Sequence, residues 1–155
     1  MSVILITGSC GLVGSESVKF FSLKGFDIVG IDNNSRLEFF GKDGDTNWVK
    51  NNLIKNYKNY THQNVDIRNF SSLEKIFKKY KNSIKLIIHA AAQPSHDWAK
   101  KKPFIDFNIN ALGTLNLLNL TKKYCSSSPF IFLSTNKVYG DNPNSLPLKE
   151  LRTRW

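Results

Sequence analysis

The sequence predicts an α/β protein in which helices cover both faces of a doubly wound parallel sheet. Short apolar runs of strand length alternate with segments of helical periodicity along the 155 residues. The first run, Val3 to Ile6, is uninterrupted, as in a parallel strand that is buried on both faces. Because strand-helix-strand units are right-handed, they build a parallel sheet with helices on both sides. No repeat or linker divides the chain, so we expect one domain over residues 1–155.

The first unit of this pattern is a strand, a glycine-rich turn, a helix and a second strand. The strand covers residues 3–7, and the helix after the turn carries Val13, Val18 and Phe21 on a shared side. Gly25 stands where a C-terminal cap belongs. Residues 26–32 then form a second strand, which ends on Asp32.

The middle of the chain is harder to interpret. Residues 37–60 predict a loop with at most one short helix, because they contain Gly41, Gly44 and many asparagines. A short third strand follows at residues 61–65. Ser71 and Glu74 have the spacing of a capping box at the start of a helix. One apolar face of that helix is formed by Leu73, Ile76, Phe77 and Tyr80.

The last third predicts two more strands and a long helix. Residues 84–89 form the fourth strand, a turn lies at Pro94, and residues 130–133 form the fifth strand. A helix over residues 104–124 aligns Phe107, Ala111, Leu115 and Leu118. The chain stops at Trp155, so we expect a sheet truncated after about the fifth or sixth strand.

Composition is that of an ordinary soluble protein, with 41% hydrophobic and 22% charged residues. The apolar runs are far shorter than the ~20 residues of a membrane span, and residues 1–14 lack a basic signal-peptide region, so we expect no membrane association and a cytoplasmic location.

The net charge of +10 could indicate that the protein binds nucleic acid. The lysines are scattered and have no aromatic residues between them, which disfavours nucleic-acid binding and favours a solvated basic surface.

Cys10 and Cys125 have no metal-ligand spacing, and we expect both to be reduced, with Cys10 in a packing role.

The glycine-rich turn predicts a site for a pyrophosphate. The first turn of a helix offers unpaired amides and the positive end of the helix dipole. Gly8 permits the tight turn, Gly11 lets the backbone approach the phosphates, and Gly14 lets the helix pack on the strand. Three glycines alone would be weak evidence. Here they follow a strand, open a helix and precede an acidic strand end, which is the context that dinucleotide binding requires.

Asp32 indicates which dinucleotide is bound. A carboxylate at this strand end accepts hydrogen bonds from the adenosine ribose hydroxyls and repels a 2′-phosphate. NAD is therefore favoured over NADP. Arg36 weakens the predicted preference for NAD over NADP, although its charge is also explained as that of a solvent-exposed loop residue.

Together with the glycine turn, three further strings resemble the extended short-chain dehydrogenase/reductase family over almost the whole chain. They are Ile87-Ile88-His89-Ala90-Ala91-Ala92, Asn110-Ala111-Leu112-Gly113-Thr114 and Leu133-Ser134-Thr135-Asn136-Lys137-Val138-Tyr139-Gly140-Asp141. Three strings are more specific and resemble the nucleotide-sugar epimerases that convert CDP-paratose to CDP-tyvelose. They are Gln93-Pro94-Ser95-His96-Asp97-Trp98, the part of the last string above from Ser134 to Asp141, and Glu150-Leu151-Arg152-Thr153-Arg154-Trp155.

The resemblance implies a Rossmann fold, NAD as cofactor and a role for each matching residue. It places at the pyrophosphate Gly8, Gly11 and Gly14; at the adenosine ribose Asp32, Ser35 and Arg36; at the adenine Asp66 and Ile67; and beside the nicotinamide Ala90, Ala91, Ala92 and Gln93. Leu12 and Val13, between the glycines, are counted with the cofactor-binding residues. Asn110 matches the family's helix asparagine, and Thr135 matches the serine or threonine that hydrogen-bonds the reacting sugar hydroxyl. Two structural explanations stay open: the alanines end a buried strand, and Asn110 ties its helix to a neighbouring strand.

The chain departs from the family at the catalytic base. In the family a tyrosine, acidified by a lysine four residues later, removes the hydroxyl proton while hydride passes to NAD. For the tyvelose type the resemblance implies oxidation at sugar C2 and re-reduction from the other face. No tyrosine of this chain has a lysine four residues later. Tyr139 matches a structural tyrosine of the family, and we expect this chain to lack the family's C-terminal substrate-binding portion. His96 and Asp97 are expected in surface or turn positions.

Three functions therefore remain. The first is the NAD-binding part of a CDP-sugar epimerase, inactive alone, which would meet its sugar nucleotide only if the missing half were supplied. The second is part of a 4-epimerase or dehydratase for another nucleotide sugar, and the string from Gln93 to Trp98 counts against it. The third is a non-catalytic basic binding module on a dinucleotide fold. A truncated sheet also exposes a strand edge, which predicts homodimers or poor solubility.

Overall fold

The computed structural model describes residues 2–153, apart from the side chains of residues 136 and 137. Five parallel strands form one sheet in the order β3-β2-β1-β4-β5. Their bounds are β1 Val3–Thr7, β2 Asp27–Ile31, β3 Tyr60–Gln63, β4 Ile84–His89 and β5 Phe130–Phe132. The predicted doubly wound class is confirmed. The order reverses between β1 and β4, and such a switch point is where open α/β sheets bind ligands.

The helices are α1 Leu12–Leu23, α2 Arg36–Phe40, α3 Asn47–Asn56, α4 Phe70–Tyr80, α5 His96–Lys101, α6 Pro103–Phe107 and α7 Gly113–Tyr124. A π-helical turn, Asn108–Leu112, joins α6 to α7. Short 3-10 turns occupy Gly41–Gly44, Lys81–Ser83, Asn136–Tyr139 and Asn142–Ser145. In the described part of the chain, none of these helices has the length and apolarity needed to cross a membrane. Arg154 and Trp155, which end the last epimerase-like string, lie outside the described residues.

The core has two layers because successive side chains of a strand point to opposite faces. On one face, Val3 and Leu5 pack in a cluster with residues of α4 and α7. On the other face, Ile4 and Ile6 pack with Val18 of α1 and Leu53 of α3. All five residues of β1 are buried, which explains why this strand is almost continuously apolar in the sequence.

The predicted loop over residues 37–60 is wrong, because α2, a 3-10 turn and α3 occupy most of it. Polar side chains organise the segment. The Asn34 carboxamide accepts hydrogen bonds from the amide and the hydroxyl of Thr46 and donates one to Asp45. Helix α3 is anchored to the core mainly by Leu53. A helix with so few buried residues leaves almost no hydrophobic period in the sequence.

The predicted capping box is also wrong. Helix α4 begins directly after its N-cap Asn69, whose side chain accepts a hydrogen bond from the Ser72 amide at 3.0 Å. Ser71 therefore lies inside the first turn of the helix and is not its cap. Glu74 is engaged elsewhere, because its carboxylate binds Lys123 of α7 at 3.0 Å.

The predicted helix over residues 104–124 exists, but it is divided into α6, the π-turn and α7. The side predicted from its alignment lies at the surface and consists of Phe107, Ala111, Leu115 and Leu118. The opposite side carries Ile109, Leu117 and Leu120 into the core.

In helix α1, too, part of the side that the sequence predicted as one apolar face lies at the surface. Val13 is 51% exposed, whereas Val18, predicted on the same side, is buried. The predicted cap at Gly25 is confirmed by its φ of +83° directly after the last turn of the helix.

One edge of the sheet is apolar. Within residues 2–153, β5 pairs with β4 alone, and Ile131 and Phe132 are 44% and 53% exposed. The surface side of α6 and α7 adds further exposed apolar area. Homodimerisation stays a prediction, and these two surfaces are where we expect it.

Candidate functional site

A cleft of about 270 Å³ opens at the switch point, above the carboxyl ends of β1, β2 and β4. Thirteen of the residues predicted to bind the cofactor line it: Gly8, Gly11, Leu12, Val13, Gly14, Asp32, Ser35, Arg36, Asp66, Ile67, Ala90, Ala91 and Ala92. A second hollow of about 460 Å³ shares Ala91 and Ala92 with the cleft and is also lined by Gln93, Asn110 and Thr135. The structure therefore brings all the predicted site residues to one edge of the sheet.

The glycine turn is packed too tightly for side chains. Gly8 has a φ of +67°, and its amide donates to the Ile31 carbonyl at 2.8 Å. A Cβ on Gly8 would lie 2.7 Å from the Ala91 nitrogen, and a Cβ on Gly14 would lie 2.0 Å from the Gly8 oxygen. The turn thus holds the start of α1 against β1, with the first-turn amides of the helix at the cleft.

Asp32 is held rigidly beside this turn. One carboxylate oxygen accepts from the Cys10 amide at 2.9 Å, and the other accepts from the Asn34 amide at 2.8 Å. Each carboxylate oxygen has a second lone pair, so both remain able to accept from a ligand hydroxyl. Because two backbone amides fix it, the carboxylate cannot swing away from the cleft at low cost.

Cys10 packs behind the turn and is a poor nucleophile. Its side chain is buried, and burial, with the nearby Asp32 charge, raises the pKa of the thiol to about 11. The neighbouring Ser9 hydroxyl bonds the Tyr60 hydroxyl at 3.0 Å and so links the turn to β3. The thiol is therefore protonated and unreactive near neutral pH, in agreement with the packing role expected from the sequence.

Asp66 lines the cleft and is paired with Arg68. The Arg68 guanidinium donates to the Asp66 carboxylate, with a closest distance of 2.6 Å, and Asn33 donates to the same carboxylate at 3.0 Å. Burial raises the pKa of Asp66, but the hydrogen bonds from Arg68 and Asn33 outweigh it, and the pKa is lowered overall. Asp66 is thus an ionised, fully engaged side chain whose position is set by its neighbours.

The alanine wall, residues 90–93, separates the cleft from the hollow. The Ala91 amide donates to the Thr7 hydroxyl at 3.2 Å. At the other end, the Gln93 amide donates to the Asn110 carboxamide oxygen at 2.9 Å, and the Asn110 nitrogen donates to the Gln93 carbonyl at 3.1 Å. Asn110 therefore ties its helical segment to the wall, the structural alternative left open by the sequence.

An aromatic contact joins two short helices at the cleft. Phe39 of α2 lines it, and the Phe39 ring centroid lies 4.6 Å from that of Trp98 in α5. The two helices follow strands on opposite sides of the switch point, and neither of them was predicted as a helix from the sequence. Sequence reasoning missed several cleft residues, which lie in α2 or in segments after strands: Asn33, Phe39, Val65, Pro94 and Leu133.

Across residues 2–153, no group of three or more His, Cys, Asp or Glu side chains is arranged to hold a metal. Cys10 and Cys125 are both free thiols and buried.

His89 predicts a pH dependence of stability. The ring is 1% exposed, and burial lowers its pKa to about 4. In the unfolded chain it titrates near 6.5. Between these values the unfolded chain binds a proton that the folded chain does not, so the free energy of unfolding falls as the pH falls through this window, by up to about 3 kcal/mol.

Urea unfolding at pH 7 and at pH 4.5 measures this loss. His89→Gln should show a shallower pH dependence than the wild type. His62→Gln is the control, because the half-buried His62 contributes a separate and smaller effect. An unchanged pH dependence in His89→Gln would contradict the assignment.

The geometry defines a doubly wound α/β protein with a glycine turn and an acidic strand end at its switch point. Comparison with known proteins gives the family. The model of the NAD dependent epimerase/dehydratase family matches residues 4–154, and the chain belongs to this family.

Three relatives illustrate the similarity. CDP-paratose 2-epimerase of Salmonella typhi is 36% identical over 138 residues, covering 89% of this chain and 38% of that protein. UDP-glucuronate 4-epimerase of Thermodesulfobacterium geofontis is 31% identical over 144 residues, covering 92% of this chain and 42% of that protein. The structure of UDP-glucose 4-epimerase from Bifidobacterium longum in complex with NAD+ and UDP has a TM-score of 0.70 at 26% identity, covering 90% of this chain and 38% of that one. The chain thus spans about two fifths of the length of these relatives.

Proposed function

We propose that this chain binds NAD as the cofactor-binding part of a nucleotide-sugar epimerase. The observation that carries the proposal is the Asp32 carboxylate, fixed by the Cys10 and Asn34 amides directly beside the glycine turn. A diphosphate at the start of α1 places its adenosine ribose within reach of that carboxylate. The relative crystallised with NAD+ supports the same ligand.

NAD is proposed in preference to NADP because Asp32 is held in place. A 2′-phosphate would meet a fixed negative charge, and moving the carboxylate would break both backbone hydrogen bonds. Arg36 lines the same cleft, but its guanidinium lies over the Phe40 ring at 4.9 Å. The cation is thus already engaged on an aromatic face.

The hollow beside the alanine wall is proposed as the place of the reacting sugar. Small side chains at residues 90–92 allow close approach of a nicotinamide, and bound NAD supplies a hydride acceptor and donor. Thr135 lines the hollow and is proposed to hydrogen-bond the reacting hydroxyl. The Thr135 hydroxyl would orient the sugar, whereas proton removal requires a base that the tyrosine spacing does not provide.

The substrate is proposed to be a CDP-sugar of the paratose type. Identity to CDP-paratose 2-epimerase, at 36%, exceeds the 31% to UDP-glucuronate 4-epimerase. Within the string from Gln93 to Trp98, the Gln93 carboxamide donates to Asp106 at 2.8 Å, and Ser95 caps α5. Residues 93–96 of this string line the hollow. A 4-epimerase or dehydratase origin is the alternative within the family.

We expect the purified chain to bind NAD but to show no epimerisation of CDP-paratose, because no tyrosine is paired with a lysine four residues later. Product formation is followed by chromatography, with CDP-paratose 2-epimerase of Salmonella typhi as the positive control. Turnover by the chain alone would contradict the claim that a tyrosine paired with a lysine is essential.

Salt-sensitive nucleic-acid binding without saturable NAD binding would instead favour the alternative of a basic binding module on a dinucleotide fold.

A further inference from the structure

One buried imidazole is connected to both ends of the alanine wall. His89 ends β4, and its Nδ1 lies 2.7 Å from the Thr7 hydroxyl. Its Nε2 lies 2.9 Å from the Thr114 hydroxyl in α7. Thr7 also accepts from the Ala91 amide, and the Thr114 hydroxyl donates to the Asn110 carbonyl at 2.7 Å.

The hydrogens available to this network fix the state of the ring. The Thr114 hydroxyl donates its only hydrogen to Asn110, so it must accept from His89 Nε2–H. His89 Nδ1 then carries no hydrogen and accepts from the Thr7 hydroxyl. The neutral tautomer with its proton on Nε2 therefore gives every hydrogen-bonding group of this network a partner, and burial favours the neutral ring.

The helical end of this network has an unusual backbone. Asn110 lies in the π-turn, where the Gly113 amide donates to the Asn108 carbonyl, five residues back. Such turns are often found at functional sites. The Thr114 hydroxyl holds the Asn110 carbonyl within this turn, and the Asn110 carboxamide holds Gln93.

We propose that His89 is a positioning residue, which sets the place of the alanine wall by holding Thr7 at one end and, through Thr114 and Asn110, Gln93 at the other. His89 is not among the residues that line the cleft or the hollow. Its effect on a ligand in the cleft therefore passes through the wall, whereas its partner Thr114 itself lines the hollow. The part of this proposal that concerns NAD affinity rests on the proposed function.

The chain offers a matched pair of variants. Thr114→Val removes the hydroxyl that links His89 to Asn110. Thr121→Val removes an equivalent hydroxyl of the same helix, which donates to the Leu117 carbonyl at 2.7 Å and lies two turns further from the wall. Thr114→Ser keeps the hydroxyl and serves as the rescue variant.

Amide hydrogen exchange at Gln93, relative to Leu5 in β1, and NAD affinity by calorimetry are measured for each variant. Thr114→Val should lower the relative protection of Gln93 and weaken NAD binding by about 2- to 10-fold, the worth of one neutral hydrogen bond. Thr121→Val and Thr114→Ser should leave both unchanged. Equal effects of Thr114→Val and Thr121→Val would overturn the proposal.

Nitrogen NMR of the wild type gives a test that needs no variant to fold. The His89 ring should carry its proton on Nε2, and a proton on Nδ1 would overturn the proposal. If the wild type binds no NAD, the proposed function fails, whereas Gln93 exchange and the His89 tautomer still decide this inference.

Discussion

Gly8→Ala should destabilise the chain far more than Gly25→Ala, although both glycines have positive φ. A Cβ costs about 1–2 kcal/mol in the left-handed region at either position. At Gly8 it would also meet the backbone of Ala90 and Ala91 at 2.7–2.9 Å, whereas nothing lies within 4 Å at Gly25. Such overpacking adds about 1–3 kcal/mol.

Urea unfolding compares the two variants directly. We expect Gly8→Ala to lose about 2–5 kcal/mol and Gly25→Ala about 1–2 kcal/mol. In Gly8→Ala the turn must also move away from the wall, so NAD affinity should fall by at least about tenfold. Equal losses of stability would show that the close packing of the turn on the wall is wrong.

Asp32→Ala should weaken NAD binding by at least about 100-fold. The substitution removes the acceptor proposed for the ribose hydroxyls, and each charge-assisted hydrogen bond is worth about 1.5–3 kcal/mol. It also leaves the Cys10 and Asn34 amides without their carboxylate. The start of the glycine turn and the loop after β2 are then free to move apart.

Asp45→Ala is the matched control for Asp32→Ala. The Asp45 carboxylate accepts from the Asn47 amide at 2.9 Å and from the Asn34 side chain at 2.8 Å, so its removal also loosens the loop. Asp45 is not among the residues that line the cleft. We expect the NAD affinity of Asp45→Ala to stay within about threefold of the wild type. Similar losses of affinity in both variants would assign the effect to the loop and not to the ribose contact.

The parts of the fold that were predictable from the sequence are those in which one strong local signal acts. Strand β1 is apolar because it is buried on both faces, and Gly25 ends α1 because its φ is positive. Helices α2 and α5 carry no such signal, since neither has a buried residue. Short helices of this kind depend on contacts between distant segments, such as that of Phe39 with Trp98.

The helix over α6 and α7 shows why burial is harder to predict than helicity. Two apolar stripes run along it, and the sequence does not indicate which one faces the sheet. The buried stripe contains Gly113, against which the Ile67 side chain packs, and Asn116, which donates to the Ile67 carbonyl at 3.0 Å. A glycine and an asparagine look like surface residues until their partners are known.

The candidate site was predictable where a motif is local and not where it depends on tertiary contacts. The glycine turn and Asp32 follow from spacing. The two amides that fix Asp32 do not, because one comes from the turn and the other from the loop after β2. The connection of His89 to Gln93 through Thr114 and Asn110 is likewise invisible before the strands and α7 are assembled.

Calorimetric titration of the folded chain with NAD, and in parallel with NADP, tests the central claim most directly. We expect saturable heat with NAD, a dissociation constant in the micromolar to millimolar range, and binding of NADP at least about tenfold weaker. The absence of heat at millimolar NAD, on material whose fold is verified by circular dichroism, would contradict the claim that the glycine turn and Asp32 form a dinucleotide site.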